Sequence, residues 1–85
     1  MDLQALINHF KRLDDLIRLK ATGSLTDLSA RFEVSKSTMK RYIREFKEVF
    51  GAPVVYDKKE ACYIYTEPFD LAAQIERFVN GRKNR

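Results

Sequence analysis

Eighty-five residues, 45% of them hydrophobic and 33% charged, support one hydrophobic core, since a second would need roughly another hundred residues. Three Gly and two Pro exclude a collagen-like or flexible low-complexity chain, and the apolar content excludes one too polar to fold. The net charge of +4 carries information about partners only if it is concentrated, and the single cysteine, Cys62, can form no internal disulfide. No apolar run approaches the roughly 18 residues of a membrane span or follows a charged start as a signal peptide does. One cytoplasmic domain over residues 1–85, without membrane association, is therefore expected.

In chain order, Leu3, Leu6, Ile7, Phe10, Leu13, Leu16 and Ile17 recur at intervals of three and four, which predicts an amphipathic helix over about 3–22. Gly23 is expected to stop it, and Ser24 followed three residues later by Asp27 resembles a capping box opening a second helix over about 25–32. Ser35 is the natural N-cap of a third helix over about 36–50, whose apolar period runs through Met39, Tyr42, Ile43, Phe46, Val49 and Phe50. Gly51-Ala52-Pro53 ends that helix. The β-branched and aromatic runs Val54–Tyr56 and Cys62–Thr66 predict a β-hairpin over about 53–66. With no Gly or Asn at its tip, the hairpin should have a loop longer than two residues. A final helix over about 69–80 should bury Leu71, Ile75, Phe78 and Val79 and end at Gly81.

The charge is concentrated. Residues 35–50 hold five basic and two acidic side chains and residues 76–85 hold four and one, whereas residues 1–34 are neutral and 51–75 are net negative. On a helical wheel Met39, Ile43, Phe46 and Phe50 form a narrow core stripe, while Lys47, Lys40, Arg44, Ser37 and Arg41 span roughly 80° to 200° from it. Helix, short helix, turn, basic helix, hairpin is the element order of a winged helix-turn-helix: mainly α, a three-helix core with a two-stranded wing and a C-terminal helix. A helix of this kind fits a major groove about 12 Å wide.

The segment Asp27-Leu28-Ser29-Ala30-Arg31-Phe32-Glu33-Val34-Ser35-Lys36-Ser37-Thr38-Met39-Lys40-Arg41-Tyr42-Ile43 resembles the helix-turn-helix of DeoR-type (type 11) bacterial transcriptional regulators. The hairpin and its exit, Gly51 to Tyr56 and Tyr63 to Pro68, resemble the wing of the N-terminal domain of biotin ligase repressors. The resemblance implies a sequence-specific binder of double-stranded DNA in transcription control. Ser35, Thr38 and Arg41 match the cap and phosphate-contacting positions, and Lys36, Ser37, Lys40 and Arg44 would be the variable readers. Two residues depart from the pattern: Ser29 stands where it has Ala and Glu33 where it has Gly. A non-Gly residue in a left-handed turn costs roughly 1 kcal/mol, so Glu33 either reshapes the turn or lowers stability. The wing lacks the Gly expected before its second-strand Tyr, and Cys62 stands there.

Lys58 and Lys59 at the wing tip are candidates for phosphate or minor-groove contact, beside Asp57 and Glu60, which dilute their charge. Tyr56, Tyr63 and Tyr65 are assigned to hairpin packing. The basic end Arg82-Lys83-Asn84-Arg85 is either an electrostatic arm or a solvated terminus. One His and one Cys build neither a metal cluster nor a nucleophilic pair, and no Gly-rich phosphate loop is present, so neither catalysis nor a cofactor is expected. Operators commonly pair two half-sites, which leads to a homodimer. Its candidate surface is Leu3, Leu6, Ile7 and Phe10 with Leu71, Ile75, Phe78 and Val79, core packing being the other reading of the same residues. The alternative function is a winged-helix module that binds another protein through its wing or third helix, with the charge serving only as surface.

Overall fold

The computed structural model describes residues 3–83, without the side chains of Leu3, Arg82 and Lys83. The basic end Arg82–Arg85, as a candidate arm, lies outside the described residues, as does the Leu3 side chain. Among the described residues the fold is mainly helical: α1 (Leu3–Arg18), α2 (Leu25–Arg31), α3 (Lys36–Phe50), β1 (Val54–Asp57), β2 (Cys62–Tyr65) and α4 (Leu71–Lys83). The two strands form an antiparallel hairpin in which Val54 faces Tyr65 and Asp57 faces Cys62. None of the described helices is long and apolar enough to cross a membrane.

The core is built on aromatic contacts between α1 and α3. Phe10 stacks on Phe46 and meets Phe50 edge-on, with ring centroids 5.2 Å apart in both cases. Phe46 then meets Phe69 edge-on at 5.7 Å, and Phe50 meets Phe78 of α4 at 5.5 Å. Each such pair contributes about 0.5–1.5 kcal/mol beyond the area it buries. Leu13, Ile17, Leu28, Phe32, Met39, Tyr42, Ile43, Ala52, Val54 and Leu71 close around them.

This packing decides the fate of the candidate dimer residues. Ile7, Phe10 and Leu71 are buried in the chain's own interior, and Leu6, Ile75 and Phe78 pack against it half-buried. The apolar stripes of α1 and α4 are spent largely on core packing. Val49, read with the apolar period of α3, is instead 48% exposed.

The first helix is four residues shorter than its periodicity implies, ending at Arg18 because the chain turns left-handed at Lys20 and not at Gly23. Lys20 takes φ 55°, its N–H reaches the Ile17 carbonyl at 3.0 Å, and the Ala21 N–H reaches that of Leu16 at 2.8 Å. This is the paired closure of a Schellman motif, with Lys in place of Gly. Gly23 has another task. At φ 66°, a Cβ on it would overlap the Asp27 carboxylate, which folds back to accept the Ser24 backbone N–H at 2.9 Å. Ser24 in return accepts the Asp27 N–H at 3.2 Å, completing the capping box of α2.

The last helix also departs from expectation, beginning at Leu71 and running through Gly81 to Lys83. Asp70 opens it: its carboxylate accepts the Ala73 N–H at 3.1 Å and its carbonyl the Gln74 N–H at 3.2 Å. Gly81 is exposed with open space around it, so its cost inside the helix is limited to about 1 kcal/mol of propensity.

The Ser24 backbone N–H first, and its hydroxyl second, hold the Asp27 carboxyl below its ordinary value of 3.8. A group whose folded pKa is depressed stabilises the fold above its unfolded pKa and loses that contribution as pH falls through the folded one. The stability of the wild type should therefore carry an Asp27 component that fades below about pH 4, and Asp27→Asn should lack it. Denaturant midpoints measured across that range for both proteins check this.

Candidate nucleic-acid interface

The candidate site begins where α2 ends. Glu33 takes φ 55°, its N–H reaches the Ala30 carbonyl at 3.1 Å, and the Val34 N–H reaches that of Ser29 at 3.0 Å. The tight turn expected with glycine is thus made with glutamate, as the first turn is with Lys20. The other departure from the resemblance, Ser29, is buried and donates its hydroxyl to the Thr26 carbonyl at 2.8 Å, so a polar group fits the small-residue position. Arg12 of α1 lies over the Phe32 ring at 4.6 Å and donates to the Arg31 carbonyl at 2.9 Å. That cation satisfies a terminal carbonyl of α2 and complements the negative end of its dipole.

Two residues beyond Glu33, Ser35 caps α3, accepting the Thr38 N–H at 3.1 Å and donating to the Thr38 hydroxyl at 3.1 Å. Ser35 is therefore engaged in starting the helix, and Thr38, half-buried, supports it. From that cap the core stripe turns Met39, Tyr42, Ile43, Phe46 and Phe50 inward. Lys36, Ser37, Lys40, Arg41, Arg44 and Lys47 are all exposed, outside the buried stripe. The helix thus carries six of the nine candidate residues, and a seventh, Ser35, caps it.

The ion pairs among the described residues all lie off α3. Arg18 is paired with Asp14 at 3.1 Å and Asp15 at 2.8 Å, and Asp14 is the principal cause of the upward shift of its pKa. Lys20 stands 3.8 Å from Glu60. Among the described residues no ion pair neutralises Lys36, Lys40, Arg41, Arg44 or Lys47. Arg41 lies over the Tyr42 ring, 5.7 Å from its centroid, and Glu45 and Glu48 stand among the five cations on the same helix.

The other two candidates, Lys58 and Lys59, are exposed in a four-residue loop at the hairpin tip. Asp57 Oδ1 accepts the Lys59 N–H at 2.9 Å and, more weakly, the Glu60 N–H at 3.4 Å, and Ala61 takes φ 55°. The positive φ falls one residue before Cys62, the position at which glycine was expected. Asp57 holds the turn with its carboxylate, and Glu60 faces Lys20. No hydrogen bond or ion pair among the described residues joins this tip to α3. The tyrosines pack: Tyr56 meets Tyr63 edge-on at 5.1 Å, and Tyr65 lies 5.1 Å from Phe69. His9 is stacked 5.3 Å from Tyr42, with Phe32 at 6.0 Å, and Cys62 is buried.

Two residues that sequence reasoning passed over tie the hairpin down. Asp14, 8% exposed, accepts the Tyr65 hydroxyl at 2.6 Å, and Thr22, fully buried, accepts the Tyr63 N–H at 2.8 Å. Burial first, and the Asp14 carboxylate second, push the Tyr65 phenol above its ordinary value, which keeps the proton that the bond requires. The available signal was Asp14 itself, a carboxylate at helical spacing from Phe10 and Ile17 within the apolar stripe. A buried charge demands a partner.

Left-handed Glu33 should yield stability when replaced. Glu33→Gly removes a side-chain clash of about 1–2 kcal/mol and adds unfolded-state entropy, for a net gain of up to about 1 kcal/mol. A higher denaturant midpoint with an unchanged slope is the expected reading.

No family model matches the chain, and no curated protein or solved structure matches it either.

Proposed function

We propose that this chain is a winged helix-turn-helix domain that binds double-stranded DNA in sequence-specific fashion, as a cytoplasmic transcriptional regulator acting as a homodimer. In this reading α3 is the recognition helix and the hairpin is the wing. The observation that carries it is the exposed basic face of α3, whose cations form no ion pair among the described residues. A 15-residue helix is about 22 Å long and about 10–12 Å across, which suits a major groove about 12 Å wide. Basic side chains left without partners on such a helix gain more by displacing phosphate counterions than by staying solvated.

Roles follow from position. Ser35 and Thr38 set the start of α3. Lys36, Ser37, Lys40 and Arg44 are the readers of base edges, with Arg41 toward the backbone. Lys58 and Lys59 supply phosphate contacts from the wing. The likeness of residues 27–43 to DeoR-type regulators supports the same assignment. The second reading, a protein-binding winged helix, draws on Val55 and Tyr56, exposed at 42% and 41% on β1. Binding to DNA weakens steeply with salt, whereas an apolar protein contact does not.

Selection of bound fragments from a genomic DNA pool supplies the site. On it, Lys40→Ala and Arg44→Ala should each cost about 1–3 kcal/mol in affinity where they read a base edge. Unchanged helical circular dichroism should accompany the loss, since both side chains lie off the core. Unchanged affinity would overturn the assignment of α3.

Lys58→Ala with Lys59→Ala should weaken specific and non-specific duplexes alike. The plot of log affinity against log salt should flatten by up to about 1.8, two phosphate contacts' worth. A shift in preference among sites would instead mean that the wing reads a groove.

A further inference from the structure

Three polar residues are buried among the described residues: Asp14, Thr22 and Ser29. Ser29 serves its own helix. The other two both reach across the fold to β2, over 51 and 41 positions of sequence. Their targets are Tyr65, paired with Val54 at the base of the hairpin, and Tyr63, paired with Tyr56 nearer the loop.

Two residues along a strand are separated by about 6.7 Å. One pin would leave the hairpin free to pivot; Thr22 holds β2 at the Tyr63 backbone N–H and Asp14 holds it at the end of the Tyr65 side chain, and the two together restrict its direction. The base adds a third constraint, since Val54 is buried and the Thr66 N–H reaches the Pro53 carbonyl at 2.8 Å. Both pins belong to α1 or the segment that follows it, and α1 also holds α3 through Phe10 and Phe46. The hairpin and α3 are thus referred to one common element.

Resting on the DNA-binding reading above, we infer that Asp14 and Thr22 are positioning residues of the wing, fixing the angle at which Lys58 and Lys59 are presented relative to the exposed face of α3. Arg18 supports the arrangement by occupying Asp14 Oδ2 at 3.1 Å, which leaves Oδ1 to the Tyr65 hydroxyl. Neither pin touches the ligand, and neither carries base information. Their effect is to make the two lysines and α3 act together on one stretch of duplex.

The test compares Tyr65→Phe, Thr22→Val and their combination with the wild type. Tyr65→Phe is conservative, keeping the ring beside Phe46 and Phe69, and serves alone if the double variant fails to fold. The first readout needs no ligand: residual dipolar couplings of the amides in residues 54–65, referred to those of α3. The variants should show an altered or averaged hairpin orientation with α3 unchanged. The second is the salt dependence of binding to a 20-base-pair random-sequence duplex. The slope should fall by about the amount that Lys58→Ala with Lys59→Ala removes, up to about 1.8. Adding the lysine changes to the pin variants should then remove little more. A hairpin orientation identical to wild type, or slope losses that simply add, would overturn the inference, as would a lowered melting point with both readouts unmoved. Should the wild type show no salt-dependent binding, the DNA-binding reading fails by itself, and the couplings still decide whether Asp14 and Thr22 orient the hairpin.

Discussion

The stacking of Phe10 on Phe46 is the contact through which the rest of this small domain is organised. It joins α1 to α3 across the centre of the core, and Phe50, Phe69 and Phe78 extend it toward the hairpin exit and α4. Because Phe46 is fully buried on one side of α3, the opposite side of that helix faces solvent. The outward display of Lys40, Arg41 and Arg44 is therefore a geometric result of where the aromatic stripe lies. Core packing and surface chemistry are two faces of a single helical period.

Charge is distributed on a similar logic. Acidic and basic groups on α1 and at the hairpin loop meet one another, as Arg18 meets Asp14 and Asp15 and Lys20 meets Glu60. Exposed pairs of this kind add little to stability, but they remove positive potential from those parts of the surface. What remains concentrated is the charge along α3, five basic against two acidic side chains over residues 35–50. A modest net charge of +4 thus becomes a local one.

Local chemistry was legible in the chain and long-range chemistry was not. The bounds of α3, its Ser35 cap, the Ser24–Asp27 box and the hairpin all depend on residues within four or five positions of one another, where spacing and side-chain type are informative. The exposed face of α3 was readable for the same reason, from a helical wheel. The ends of α1 and α4 misled because the usual glycine signal was absent at Lys20 and inoperative at Gly81. Asp14 and Thr22 escaped because their partners lie 51 and 41 residues away. The apolar stripes of α1 and α4 look alike whether they face their own core or a second copy. Only the packing of Phe10 and Leu71 shows that they face inward.

Lys20, Glu33 and Ala61 share one conformation, each at φ 55°, and the fold bears all three without glycine. With about 0.5–1 kcal/mol lost at each relative to glycine, the native state is roughly ten- to a hundredfold less favoured over the unfolded chain than the same architecture with glycine turns. Small domains hold only a few kcal/mol in reserve, and the unfolded fraction is what cellular proteases sample. The turns that join these helices therefore bear on how long each molecule persists as well as on its shape. A binding partner that engages only the native state would lengthen that lifetime by mass action, so the abundance of the protein would follow its occupancy.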